Sequence, residues 1–379
     1  MDHGDRGTAG QLTASQRDWL RARQLMREHH YDLAVTAARL YPAAIHVTGT
    51  PLVSTVDWIP TKPIPLDAVT LQYVPDAPPA AVTGREPAAL DALPVRPDGT
   101  RYARYSDAVA ELTPPSVFED RPTYRMLDAD LTGSGPRLVF GPGSYFAGMD
   151  VGDTCAHEYT AAALGTAVTQ PVRAAIGDPC DPARRPVNLA ISALTLRHDR
   201  STGTATFPLH ARSAAAVGHA GGMHQVLPVG VFQPAGTRPW NIANDFDLWR
   251  SMIREYAEEL LGASEDYGTD TAPIDYNAWP FAAAMTAALR DGHIRAHCLG
   301  LGVDPLTLAT DLLTVVTIDA ATYDDLFGRA VEANAEGTVT ATVPFTVGTI
   351  ERYAAHEPTQ AACAALLRLA WQHRITLLD

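Results

Sequence analysis

Apolar residues recur at three- and four-residue spacing over residues 15–40, where Trp19, Leu20, Leu25, Met26, Leu33, Ala34, Ala37 and Ala38 carry the repeat. This spacing predicts one or two amphipathic helices, with Ser15 as the N-cap. Proline is dense over residues 41–125, which argues against long helices there. Within that stretch residues 68–73 read as extended, 76–99 as a surface loop and 105–112 as a short helix ended before Pro114. Residues 136–140 form an apolar strand pattern, followed by the turn Gly141-Pro142-Gly143-Ser144 and a helix over 151–164. The Pro-rich connector 177–186 is the expected domain boundary. Beyond it strands are predicted over 187–196, 204–210 and 224–231, a helix over 245–261, strands over 312–318 and 337–343, and a closing helix over 359–373. Pro208 marks the 204–210 segment as an edge strand.

This order of strands and helices is α+β. A chain of 379 residues suggests two domains. The expected organisation is a flexible tail over 1–12, a smaller helical and Pro-rich α/β domain over 13–180, and a second domain over 185–379. The composition, 46% hydrophobic and 19% charged, is that of a globular protein. No run of apolar residues is long enough to span a membrane and the polar start lacks a signal-peptide core, so a cytoplasmic protein without membrane partners is expected. The formal net charge of −14 disfavours nucleic acid as a partner. Lys62 is the only lysine among 29 basic residues, which argues against Schiff-base chemistry. The four cysteines are scattered without a metal-binding spacing and are expected to be free thiols.

The predicted helix over 245–261 carries the most informative chemistry. Leu248, Trp249, Met252, Ile253, Tyr256 and Leu260 make a buried stripe, with Asp245 expected to cap the start and Gly262 the end. Glu255, Glu258 and Glu259 stand at i, i+3 and i+4 and therefore share a helical face. They lie near the partly negative C-terminal end of the helix, where their mutual repulsion calls for full solvation or a compensating cation. A hard divalent ion with oxygen ligands would supply this; a solvated acidic face is the plain alternative.

The segment Arg254-Glu255-Tyr256-Ala257-Glu258-Glu259 resembles the core of the Nudix box, Gly-x5-Glu-x7-Arg-Glu-U-x-Glu-Glu-x-Gly-U with U aliphatic. The chain is similar to longer bacterial Nudix-like proteins, some of which carry a helix-turn-helix regulator. The match has departures. Phe246 occupies the upstream Glu position, with Asp245 and Asp247 beside it, Tyr256 replaces the aliphatic residue, and Gly262 follows the expected Gly position by one residue. The loop from Gly230 to Arg254 is also longer than the pattern.

The resemblance implies an α/β/α sandwich with a mixed sheet in the C-terminal domain. It implies Glu255, Glu258 and Glu259 as ligands to Mg²⁺ or Mn²⁺ or as base, and Arg254 as the residue that orients a catalytic Glu. The implied activity is hydrolysis of a phosphoanhydride in a nucleoside diphosphate-linked or related diphosphate. The alternative is a catalytically silent ligand-sensing or regulatory module. His224, Gly230, Gln233 and Trp240 are the expected substrate contacts, the last by stacking. A further base from a later loop is open among Asp304, Asp311, Glu332 and Glu336, and His219 is a weaker substrate candidate. The N-terminal region is expected to shape the pocket or to form a homodimer interface. His157-Glu158 lacks the second histidine of a zinc protease motif and is expected on a polar helix face.

Overall fold

The computed structural model describes residues 12–166, 169–212, 222–328, 333–334 and 337–379. The strands in chain order are β1 (Ile64–Pro65), β2 (Thr70–Tyr73), β3 (Pro122–Asp130), β4 (Arg137–Ser144), β5 (Leu189–Asp199), β6 (Thr204–Arg212), β7 (His224–Val226), β8 (Val229–Val231), β9 (Ile294–Val303), β10 (Thr310–Asp319), β11 (Ala333–Asn334) and β12 (Gly337–Pro344). The larger, mixed sheet runs β1-β9-β10-β5-β6-β12-β11, and β2-β4-β3 form a smaller one. The architecture is therefore mixed α and β.

The centre of the large sheet is the parallel pair β5 and β10, in register from Ala190 opposite Asp311 to His198 opposite Asp319. Both strands are buried along nearly their whole length, as in a sheet covered on both faces. Alternate residues serve opposite cores. Ile191, Ala193, Leu312 and Val316 meet Leu248, Met252 and Tyr256 of the helix Leu248–Leu261, here called the site helix. Leu194, Leu196, Leu313 and Val315 meet Leu366 and Leu369 of the closing helix Ala361–Gln372. Polar Thr195 is accommodated by its hydroxyl, 2.6 Å from the Leu227 carbonyl and 2.7 Å from Tyr256 Oη.

The segment containing Pro208 is an interior strand, not the edge strand its proline predicts. β6 pairs with β12 on one side and with β5 and β7 on the other. The missing N–H is absorbed by a break in register of β12 between Thr340 and Val343, opposite Pro208. One cap and one helix face also differ from expectation. Thr13, not Ser15, caps the helix Ala14–Glu28 through a reciprocal pair with Gln16. His157 and Glu158 lie on a buried face of the helix Tyr145–Ala163, not on a polar one. His157 stacks on Trp19, and burial lowers its pKa to about 3. The Glu158 carboxylate receives the Val172 and Arg173 amides at the start of the helix Pro171–Ile176.

The largest core draws on residues from both sides of the connector 177–186. Tyr124 and Phe140 of the small sheet pack with Phe232 and Phe246, with Tyr124 and Phe232 centroids 4.5 Å apart. The backbone joins them too: the Tyr124 amide donates to Phe232 O and the Met126 amide to Val187 O. β1 extends the large sheet by pairing with β9. No helix among the described residues is long and apolar enough to cross a membrane. The four cysteines are buried and free.

Candidate functional site

The site helix starts at Asp247, whose carboxylate accepts the Arg250 amide at 3.0 Å. It stops at Gly262, which takes the left-handed φ of 67° needed to turn its N–H back to the last carbonyls. Asp245, expected from the sequence as the cap, lies two residues earlier in a different role. Its buried carboxylate accepts Tyr276 Oη at 2.9 Å and the Ala235 amide at 2.8 Å, and stands 3.5 Å from Arg254 Nη1. Arg254 in turn donates to Tyr276 Oη at 2.7 Å and to the Gln233 carbonyl at 2.5 Å. Burial alone would lower the Arg254 pKa, but Tyr276, Asp245 and Glu255 outweigh it and raise the value above that of an ordinary arginine. Phe246, in the place of the box glutamate, points into the aromatic core.

The three helix carboxylates differ in their surroundings. Glu259 Oε1 accepts the Val229 amide at 2.8 Å and so ties the helix to β8. Glu258 accepts Tyr267 Oη at 2.7 Å. The Glu255 carboxylate rests on the bare α-carbon of Gly230, where any side chain would overlap it. No described residue donates a hydrogen bond to it. Burial first, then the charges of Glu258 and Glu259, push the Glu255 pKa well above the ordinary carboxylate range. Burial raises Glu258 as well, opposed by Tyr267 and reinforced by Glu265. Among the described residues no three acidic, histidine or cysteine side chains are gathered as around a preformed ion site.

Glu255 and Glu258 open into a cavity of about 570 Å³, large enough for a substrate of nucleotide size. Gly230 and Gln233 also line it, as does Glu265. Arg121 stands at the same end and pairs with Glu265 at 2.9 Å. The opposing wall comes from residues 115–121 and 145–153, so the N-terminal half does shape the pocket. Two expected contacts lie elsewhere. His224 packs its ring on Tyr353, 5.0 Å between centroids, and Trp240 is exposed with its indole N–H on the Thr269 carbonyl. Neither lines the cavity: His224 points to the opposite side of β7 from Gln225, which does line it, and the short helix Pro239–Asn244 carries Trp240 outward. Of the later acidic candidates, Asp311 lines the cavity. Asp304 instead locks its own turn by accepting the Leu306 and Thr307 amides. His219, Glu332 and Glu336 lie outside the described residues.

Arg121, Glu265 and Tyr267 went unpredicted. They sit in loops whose approach to the helix has no periodic signal. Gly230→Ala tests the seating of Glu255. The added methyl is expected to force the carboxylate into the open cavity, with the fold intact because only a flexible side chain must move. A carboxyl ¹³C titration should then show the Glu255 midpoint falling toward the ordinary range. An unchanged midpoint would mean the carboxylate does not rest on Gly230.

No family model matches the chain, and no curated protein matches it in sequence.

Proposed function

We propose that the chain is a Nudix-type hydrolase that uses Mg²⁺ or Mn²⁺ to cleave a phosphoanhydride in a nucleoside diphosphate-linked or related diphosphate. The observation that carries this reading is the Glu255 carboxylate: half-buried, without a described donor, and crowded by Glu258 at the head of a nucleotide-sized cavity. Mg²⁺ commonly binds through one or two carboxylates, with water and substrate phosphates completing its shell. Glu255 and Glu258 fit that role, and Glu259 acts on the fold by holding β8.

A bound cation would neutralise phosphate oxygens and acidify a coordinated water. The protein's own part is positional. The Asp245–Tyr276–Arg254 chain fixes the 233–235 loop against the helix, and Gly230 leaves room for the Glu255 carboxylate. Residues 115–121 supply a further wall of the cavity. In the proposed step a water oxygen bonds to phosphorus, the bridging P–O bond breaks, and the water's proton passes to a cavity carboxylate. The other reading, a silent ligand sensor, is favoured by one observation: Phe246 fills the place of the box glutamate and is packed away from the cavity.

Incubation with Mg²⁺ or Mn²⁺ and a panel of nucleoside diphosphate derivatives separates the two. Turnover that falls at least about tenfold in Glu258→Gln is expected. Saturable binding of the same compounds without turnover would favour the sensor and overturn the hydrolase.

A further inference from the structure

The cavity does not end at the carboxylates. Among the described residues β8 has only β5 as a strand neighbour, and the cavity continues around it to the other face of the sheet. Gly230 is opposite Ile191 and belongs to the face of the site helix. Val229, opposite Ser192, belongs to the face of the closing helix, as do Leu313 and, two residues before it, Asp311. The far half of the cavity is thus built by different residues from the half that holds Glu255 and Glu258.

Two acceptors there are buried and incompletely used. Gln360 immediately precedes the closing helix, is 5% exposed and lines the cavity, and no described residue donates to its Oε1. Asp311 is 1% exposed; Ser192 Oγ donates to its Oδ1 at 2.7 Å, and no described residue donates to Oδ2. Buried acceptors in a native protein are normally met, by protein, by water or by a ligand, and these two face the cavity. Apolar Val229, Val231, Leu308 and Ala309 flank them, together with the polar side chains of Gln225, Arg185 and Thr310. Leu308 is held at a φ of 59°, a conformation a bulky side chain rarely adopts, so the 307–309 turn keeps its cavity-facing shape at a cost in strain. Apolar walls with hydrogen-bond acceptors between them match a flat heterocycle with N–H groups on its edge.

We infer that this half of the cavity binds an amino-bearing nucleobase, whose edge N–H groups donate to Gln360 Oε1 and Asp311. The inference rests on the diphosphate reading of the same cavity for its purpose, and names the group that the diphosphate carries. It does not need the cation or turnover, which keeps the two tests apart.

Metal-free binding of guanosine, adenosine, cytidine and uridine to the full chain, by calorimetry, is the test. At least one amino-bearing nucleoside is expected to bind with a Kd below about 1 mM and tighter than uridine. Gln360→Leu, which preserves bulk, should weaken that binding about tenfold or more, because a buried N–H loses its acceptor. Asp311→Asn keeps the shape, guards against loss of fold in the first variant, and should also weaken it. No binding of any nucleoside at that level overturns the inference, as does binding unchanged in both variants. Hydrolysis could fail with nucleoside binding intact, or the reverse.

Discussion

Arg254→Met is expected to destabilise the protein by about 3–5 kcal/mol, the cost of leaving a buried charge without its partner. Asp245 has a fully buried side chain, and Arg254 is almost as buried. The pair is closed through Tyr276, and the Gln233 carbonyl takes a further guanidinium N–H. Methionine fills the volume but leaves the Asp245 carboxylate buried without its cation. Such a loss is a large part of a typical stability of about 5–15 kcal/mol. Arg254→Lys should recover little, since one ammonium cannot reproduce the planar fork that reaches both Tyr276 and Gln233. Adding Asp245→Asn to Arg254→Met should restore part of the loss. Urea denaturation of the single and double variants checks this, and a single-variant loss under about 1 kcal/mol would refute the role assigned to the pair.

Asp311→Asn is expected to act in the opposite direction, and only above mildly acidic pH. Burial first, and then the charge of Asp304, push the Asp311 pKa up to about 7, against Ser192's hydrogen bond. The folded chain therefore holds this proton more tightly than the unfolded chain, whose aspartates titrate near 4. The protonated side chain is accommodated at no charge cost below that value. As pH rises from about 4 to 7 this advantage is lost, and above pH 7 the wild type carries the cost of a buried carboxylate, on the order of 4 kcal/mol. Asparagine keeps the shape and can still accept from Ser192, but it does not ionise. The variant should match the wild type near pH 4 and exceed it in stability at pH 8. Parallel stability curves for the two proteins between those limits would show that Asp311 does not titrate in this range.

Much of the fold is legible in the sequence where one period governs a segment. The site helix ends at Gly262 as predicted, and its stripe from Leu248 to Leu260 is buried as its spacing requires, with Trp249 only half-buried. The short helix Tyr105–Leu112 falls where predicted. β9 escapes because a strand covered on both faces needs no alternation, and its glycines and His297 mask its apolar residues. β3 is hidden by its polar residues Arg125, Asp128 and Asp130. At the site, the positions of Glu255 and Glu258 on one helix are local and readable. The far half is not: Asp311, Gln225 and Gln360 are brought together by the register of β5 with β10 and by the docking of the closing helix. The misplaced cap, Asp245, shows the same limit, since its partner Tyr276 is thirty-one residues away in the chain.

The parallel pairing of β5 with β10 has a consequence for biosynthesis. β5 leaves the ribosome about 120 residues before the partner that completes its side of the sheet, and β1 waits still longer for β9. Until residue 319 has emerged, the nascent chain exposes the aliphatic flank of its central strand, so the large sheet closes only after β10 has been made.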